Sequence, residues 1–185
     1  MKLDMPEEFF TERLGMFRLR HEDAEEIFYT YASKPEATKY VSWATHETLR
    51  DTRSYLVVSR RGWEAGVDYS FAIRLQGRRL IGSCGVINDN GSIQFGYILS
   101  PSQWGNGYAT EMCCKLMEIV SGLPGVNSVG TFVDADNVAS IRVLEKSGLK
   151  LVERREQWFR FVNQGQALKD CLVFRFPMPA QAEGK

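Results

Sequence analysis

The sequence predicts one mixed α/β domain, on three observations. Apolar spacing switches from a helical period to strict alternation and back along the chain. Gly, Pro and Asn-rich turns bound the alternating segments. The 185 residues, 44% hydrophobic and 12% aromatic, suffice to bury about 70% of the surface an unfolded chain exposes.

The elements follow in order. Residues 1–14 read as a loosely held arm, Met16–Arg20 as a short strand, and His21 to Ser33 as a helix with acidic residues in its first turn, as the helix dipole favours. Lys34-Pro35 breaks it. A second helix is expected from Glu47 to Arg61, ended by Gly62 and Gly66. Tyr69–Leu75, Arg79–Ile87 and Ile93–Leu99 alternate as strands of a meander, joined by Gln76-Gly77-Arg78 and Asn88-Asp89-Asn90-Gly91 turns. Pro101 stops the third. After a turn at Trp104–Gly107, Ala109, Met112, Cys113, Leu116 and Val120 form the apolar stripe of a helix from Tyr108 to Ser121. Val129–Val133 is a strand. Asn137 caps a short helix to Ser147, with Gly148 just past its end. Strands over Leu149–Phe161 and Cys171–Phe176 close the domain around Gly165, leaving 180–185 as a frayed tail. The whole of 1–185 reads as a single domain with its core at 16–176.

Composition excludes several classes. Lys plus Arg and Asp plus Glu are both 23, and no stretch is basic enough to form a footprint for nucleic acid or anionic lipid. No apolar run approaches the ~18 residues of a membrane helix, and the first residues carry no secretory h-region. Cys84, Cys113, Cys114 and Cys171 match no zinc spacing, and His21 and His46 are the only histidines. Reduced thiols, a cytoplasmic location and no metal are therefore expected.

The chemistry concentrates at Leu99–Thr110. A strand runs into a glycine-containing turn and then a helix start. There the backbone can approach a ligand closely, and unpaired N–H groups and the helix dipole favour a diphosphate. The Gly-Lys-Ser/Thr of a Walker A loop is absent. A dinucleotide fingerprint needs a third glycine where Thr110 sits, and a parallel sheet before it. An acyl-CoA diphosphate loop is the third option.

Trp104-Gly105-Asn106-Gly107-Tyr108-Ala109-Thr110-Glu111 resembles the pyrophosphate motif of the GNAT superfamily of acetyl-CoA-dependent N-acetyltransferases, in its RimJ/RimL-like branch, with Trp104 where Gln or Arg is commonest. Leu19-Arg20, Asp23-Ala24, Phe95-Gly96-Tyr97-Ile98-Leu99-Ser100-Pro101, Asp136–Ser140 and Leu144–Gly148 resemble other signatures of that branch, in order. The resemblance implies a mostly antiparallel sheet of six to seven strands, splayed between the central strand and the following parallel one. It implies acetyl-CoA as cosubstrate and a primary amine as acceptor, either a protein N-terminus or a small molecule, with a non-catalytic CoA-binding module as the alternative. Either a monomer or a homodimer is compatible.

The same resemblance places Trp104, Gly105, Asn106, Gly107, Tyr108, Ala109 and Thr110 on the diphosphate. It places Asn137 near the pantetheine or diphosphate arm with Ser140 nearby, and Tyr40 and Trp43 on the acceptor side. Ile98 and Leu99 would bind pantetheine amides through main-chain atoms. Ser140 and Tyr97 are the candidate proton donors, though Tyr97 reads equally as core. Related sequences commonly carry Glu where Gln94 stands, and Gln cannot act as a base. Asp68, Asp89, Glu111, Asp134 and Asp170 are alternatives among which spacing does not choose; Glu111 is expected to face solvent.

Overall fold

The computed structural model describes residues 1–76 and 78–178. Gly77 of the expected hairpin turn and the expected tail lie outside the described residues. The strands are β1 (Glu8–Phe10), β2 (Leu14–Arg18), β3 (Asp68–Leu75), β4 (Arg79–Asp89), β5 (Ser92–Leu99), β6 (Ser128–Asp134), β7 (Lys150–Phe159) and β8 (Lys169–Arg175). They form one eight-stranded sheet in the order β1-β2-β3-β4-β5-β6-β8-β7. Every neighbouring pair is antiparallel except β5 and β6.

The strand beyond the expected six to seven is β1, and it corrects the reading of residues 1–14 as a loose arm. Phe9 pairs with Met16, and Leu3, Met5 and Phe9 are buried in the main core. Their apolar side chains cover ground that would otherwise face water, and the gain offsets the entropy of ordering the segment.

The helices depart from expectation in two places. The first is not one α-helix to Ser33. A 3-10 turn, His21–Asp23, leads into α1 (Ala24–Ile27) and then a π-helical turn, Phe28–Ala32. A π turn inserts an extra residue and so rotates the side chains that follow. Here it accompanies the burial of Tyr31, whose hydroxyl lies 2.7 Å from Ser83 Oγ. Pro35 then opens α2 (Pro35–Thr38). The second departure is α3 (Leu49–Ala65), which runs straight through Gly62 and ends only at Gly66, with φ +76°. A glycine inside a helix costs about 1 kcal/mol against alanine. It is needed because a Cβ at 62 would lie 2.6 Å from Asp68 Cβ. The last two helices are α4 (Tyr108–Gly122) and α5 (Val138–Lys146).

The sheet divides the interior into two layers. Met112, Cys113, Leu116, Met117 and Val120 of α4 pack with Ile93, Phe95 and Leu99 of β5 on one face. On the other, Ile27, Tyr31, Ala32 and Leu56 pack with Ala72, Leu80 and Ile98. Arg74 stitches α1 to β3 through Asp23 and Glu26, each at 2.8 Å.

One irregularity positions the site. The parallel pairing of β5 with β6 covers only Ser92↔Ser128, Ile93↔Val129 and Gln94↔Gly130. Beyond it β5 stays with β4 as far as Leu99, while β6 follows β8. At the parting point the Thr131 hydroxyl donates to the Phe95 carbonyl at 2.7 Å, a side chain standing in for the next rung. Thr131→Val keeps the shape and leaves that carbonyl without its donor. It should cost about 1–3 kcal/mol, read as a lower midpoint in urea unfolding with an unchanged slope.

Candidate active site

The splay opens into a cavity of about 780 Å³ that passes from one face of the sheet to the other. On the α4–α5 face it is lined by Trp104, Gly105, Gly107–Thr110, Asn137 and Ser140; on the α1–α3 face by Tyr31, Tyr40, Trp43, His46, Tyr55 and Asp68. Tyr40 and Trp43, expected on the acceptor side, line this part of the cavity.

The loop between β5 and α4 is built by Ser100–Gly107. A 3-10 turn, Pro101–Gln103, redirects the chain, and Gly105 and Gly107 take φ of +78° and +79°. That left-handed backbone is close to cost-free only for glycine. No side chain caps α4 at Gly107, so the first N–H groups of the helix point outward without an intrahelical partner. Asn106 does not line the cavity. Its amide is turned back onto the Gln103 and Trp104 carbonyls, at 3.1 and 3.2 Å, and its own carbonyl accepts from Arg13.

The back of this loop is clasped by the N-terminal segment. Glu111, expected to face solvent, instead pairs with Arg13 at 2.6 Å and accepts from the Thr11 hydroxyl at 2.6 Å and the Arg13 amide at 2.9 Å. The Arg13 guanidinium also lies 4.6 Å from the centre of the Tyr108 ring. Burial pushes the Glu111 carboxyl up, but these donors outweigh it and hold its pKa below the ordinary glutamate value of 4.5. A carboxyl lowered in the folded state contributes stability above its unfolded pKa and loses it as pH falls through the folded one. The clasp is therefore intact at neutral pH and opens only in acid below the usual glutamate range.

Main-chain directions in the splay follow from the Phe95 carbonyl, which faces β6. Backbone groups alternate along a strand, so those of Tyr97 and Leu99 face the gap and those of Ile98 face β4. The main chain of Ile98, expected as a ligand, is thus turned to β4, and the gap-side main chain between Phe95 and Leu99 is that of Tyr97. The Leu99 carbonyl is already taken by the Trp104 indole N–H at 3.1 Å. Trp104 therefore closes off the wide end of the gap as well as forming part of its wall.

The Tyr97 side chain projects to the α4–α5 face, where its hydroxyl donates to Ser140 Oγ at 3.2 Å. Burial pushes the phenol far above its ordinary pKa, so it stays a neutral donor. Asn137 caps α5, its carbonyl oxygen accepting from the Ser140 amide at 3.2 Å, and it lines the cavity as well. Thus the two readings of Asn137, cap and ligand, are compatible. Cys84 and Cys113 are buried thiols raised by desolvation, poor nucleophiles both.

On the far face His46 lines the cavity. Its Nδ1 lies 2.8 Å from Thr52 Oγ1 and its ring 5.0 Å from the centre of Trp43. Burial lowers its pKa, with Asp51 partly opposing. Among the described residues no group of three His, Cys, Asp or Glu side chains could hold a metal, and no helix is long and apolar enough to cross a membrane.

A splayed sheet with free backbone in the gap, flanked by a glycine loop at a helix N-terminus, defines the acyl-CoA-dependent acyltransferase class. Residues 13–150 match the model of the acetyltransferase (GNAT) domain, and the chain belongs to that family. It is 28% identical over 152 residues to the N-acetyltransferase p20 of Bacillus licheniformis, covering 77% of this chain and 85% of that one. Its fold is similar to RimJ of Mycobacterium smegmatis, solved with CoA-disulfide (TM-score 0.84, 17% identity, 95% and 90% of the two chains). It is similar too to RimL, a ribosomal L7/L12 α-N-protein acetyltransferase solved with CoA (TM-score 0.80, 14% identity, 94% and 97%).

Gly107→Val places a β-branched side chain at φ +79°, 3.6 Å from the Arg13 guanidinium at the back of the loop, and so forces the turn out of the shape that presents its N–H groups. Losing one or two charge-assisted bonds of about 1.5–3 kcal/mol each should weaken CoA binding by about one to three orders of magnitude. Asn106→Ala should weaken it much less, since that side chain only braces the loop. Calorimetric titration with CoA, alongside a melting curve for each variant, reads both.

Proposed function

We propose that the protein transfers the acetyl group of acetyl-CoA to a primary amine by direct attack in a ternary complex, with a protein N-terminal α-amine as the favoured acceptor. The observation that carries this reading is the cavity through the sheet: one mouth suits CoA, the other an amine, and the two meet at the splay.

The residues present fit acetyl-CoA. Free N–H groups at the start of α4 suit a diphosphate, and the gap-side main chain of Tyr97 can pair with pantetheine amides as an added strand would. When bound, acetyl-CoA supplies the activated acetyl thioester. The protein's part is orientation, exclusion of water and proton handling. Tyr97 is the proton donor toward the departing thiolate, with Ser140 Oγ holding its hydroxyl in place. The raised Cys84 and Cys113 thiols favour direct transfer over a cysteine relay.

The α-amine preference rests on proton affinity and on resemblance. An α-amine of pKa about 7.7–8 is roughly one-tenth neutral at pH 7, a lysine amine only about one part in 10³. With Gln94 in place of the usual carboxylate, the less basic amine needs less help. The structural likeness to RimJ and to the α-N-protein acetyltransferase RimL points the same way. A small-molecule amine is the second reading, favoured by the aromatic walls that Tyr31, Tyr40, Trp43 and Tyr55 give the cavity.

The test is turnover of acetyl-CoA, followed by thiol release, against peptides with free α-amines, lysine side-chain amines blocked peptide by peptide, free amino acids, an aminoglycoside and a polyamine. Turnover confined to α-amine peptides supports the reading, and turnover only of small amines moves it to the second. Tyr97→Phe should lower kcat on the order of 10²-fold, the lower end for general acid catalysis. Acetyl-CoA affinity should change little, because the binding groups of Tyr97 are in its main chain.

A further inference from the structure

Five carboxylates were open from the sequence, and their surroundings separate them. Glu111 is held by Arg13 and Thr11. Asp170 is paired with Arg154 at 2.7 Å. Asp134 accepts from the Asp136 amide and the Gln164 amide side chain. Asp89 sits at the far end of β4. None of these four lines the cavity; Asp68 does.

Strand register says where Asp68 stands. It is opposite Ile87, and Ile87 is opposite Gln94. Directly opposed residues share a face, so Asp68 and Gln94 project to the same side, two strands or about 10 Å apart. The neighbouring row is Ser70, Gly85 and Gly96. A Cβ at Gly96 would meet nothing within 4 Å, so the sheet there is a bare floor. It runs from Ser70, beside Asp68, toward the central strand, with Ile87 on one side of it and Tyr55 and His46 lining the same cavity.

Two contacts fix Asp68. Its Cβ rests against Gly62 of α3, and its Oδ1 accepts from Ser70 Oγ at 2.6 Å. Desolvation raises the carboxyl above the ordinary aspartate value, with the Ser70 hydroxyl partly opposing. Tyr55 stands close enough to feel its charge and is itself pushed up to about 12, chiefly by burial.

We infer that Asp68 is the carboxylate that receives the acceptor's ammonium group and takes its proton, across the glycine floor, in place of a carboxylate at Gln94. This rests on the acetyltransferase reading above. In the step, one proton passes from the ammonium through water to Asp68. The freed nitrogen lone pair forms the N–C bond, the C–S bond breaks, and its electron pair leaves on sulfur. The second nitrogen proton ends on the thiol, by way of Tyr97 or solvent, giving an amide and CoA. Asp68 then returns its proton to water.

The experiment compares four proteins on the amine that the wild type turns over best: wild type, Asp68→Asn, Asp68→Asn with Gln94→Glu, and Glu36→Gln. Glu36 is the control, as an exposed carboxylate on α2 that also borders the cavity. Asp68→Asn should lower kcat/KM by about 10²–10⁴-fold, with melting temperature and CoA affinity unchanged. Gln94→Glu in that background should recover at least tenfold, which a packing role for Asp68 would not allow. If Asp68→Asn does not fold, Asp68→Ser takes its place. If the wild type acetylates no amine, the acceptor reading has failed, and the same four proteins are compared on acetyl-CoA hydrolysis, where water replaces the amine. Activity of Asp68→Asn within threefold of wild type overturns the inference. So does a larger loss in Glu36→Gln, or a loss that Gln94→Glu leaves unrecovered.

Discussion

The molecule depends on a parallel pairing that stops early. Three residue pairs join β5 to β6, ending at Gln94 and Gly130. Every later gap-side backbone group on β5 must find another partner or stay exposed. Buried, unpaired peptide groups are costly. The structure meets that cost twice, with the Thr131 hydroxyl at Phe95 and the Trp104 indole at Leu99. Between those two plugs the Tyr97 main chain faces the gap. The position of the binding groove is thus set by where the ladder is sealed and where it is not.

Around that opening the two faces of the sheet do different work. On one, a helix of 15 residues begins at a left-handed glycine and presents its N–H groups without a side-chain cap. On the other, short helical pieces of varying pitch carry aromatics over a floor of Gly85 and Gly96. The two chemistries meet only through the gap. A cofactor arm and an acceptor can therefore approach from opposite sides without competing for the same wall.

Much of this was legible in the sequence, because local rules decide it. Alternating apolar residues over 69–99 and the Asn-Gly turn at 90–91 specify the meander. Gly105 and Gly107 before an amphipathic stripe specify the loop and α4. What was missed depends on residues far apart in the chain. β1 is only three residues long and gains its stability from the core it covers, so no periodicity could announce it. Glu111 looked like any outward helix residue until Thr11 and Arg13 folded over it. The main-chain direction of Ile98 is a matter of ladder register, invisible in side-chain type. Asp68 sits at the first position of a strand, where a polar residue is unremarkable. The one signal was Gly62, a glycine inside a strong helical pattern, read from sequence as a terminator. It was the imprint of a neighbour, and the neighbour was Asp68.

The Arg13–Glu111 clasp joins residues 98 positions apart. It also has a bearing on the order of assembly. A ribosome delivers chain at about 5–20 residues per second, so the N-terminal segment is made several seconds before α4 exists. The meander of β3 to β5 and the pairing of β1 with the adjacent β2 are both local and can form in that interval, whereas the clasp on Glu111 must wait for α4. Closing so long a loop is slow to be rewarded, so the Thr11–Arg13 turn stays unfastened until α4 itself has emerged. Fastening of the N-terminal turn and bracing of the loop before α4 are thereby a single late event in the life of the new chain.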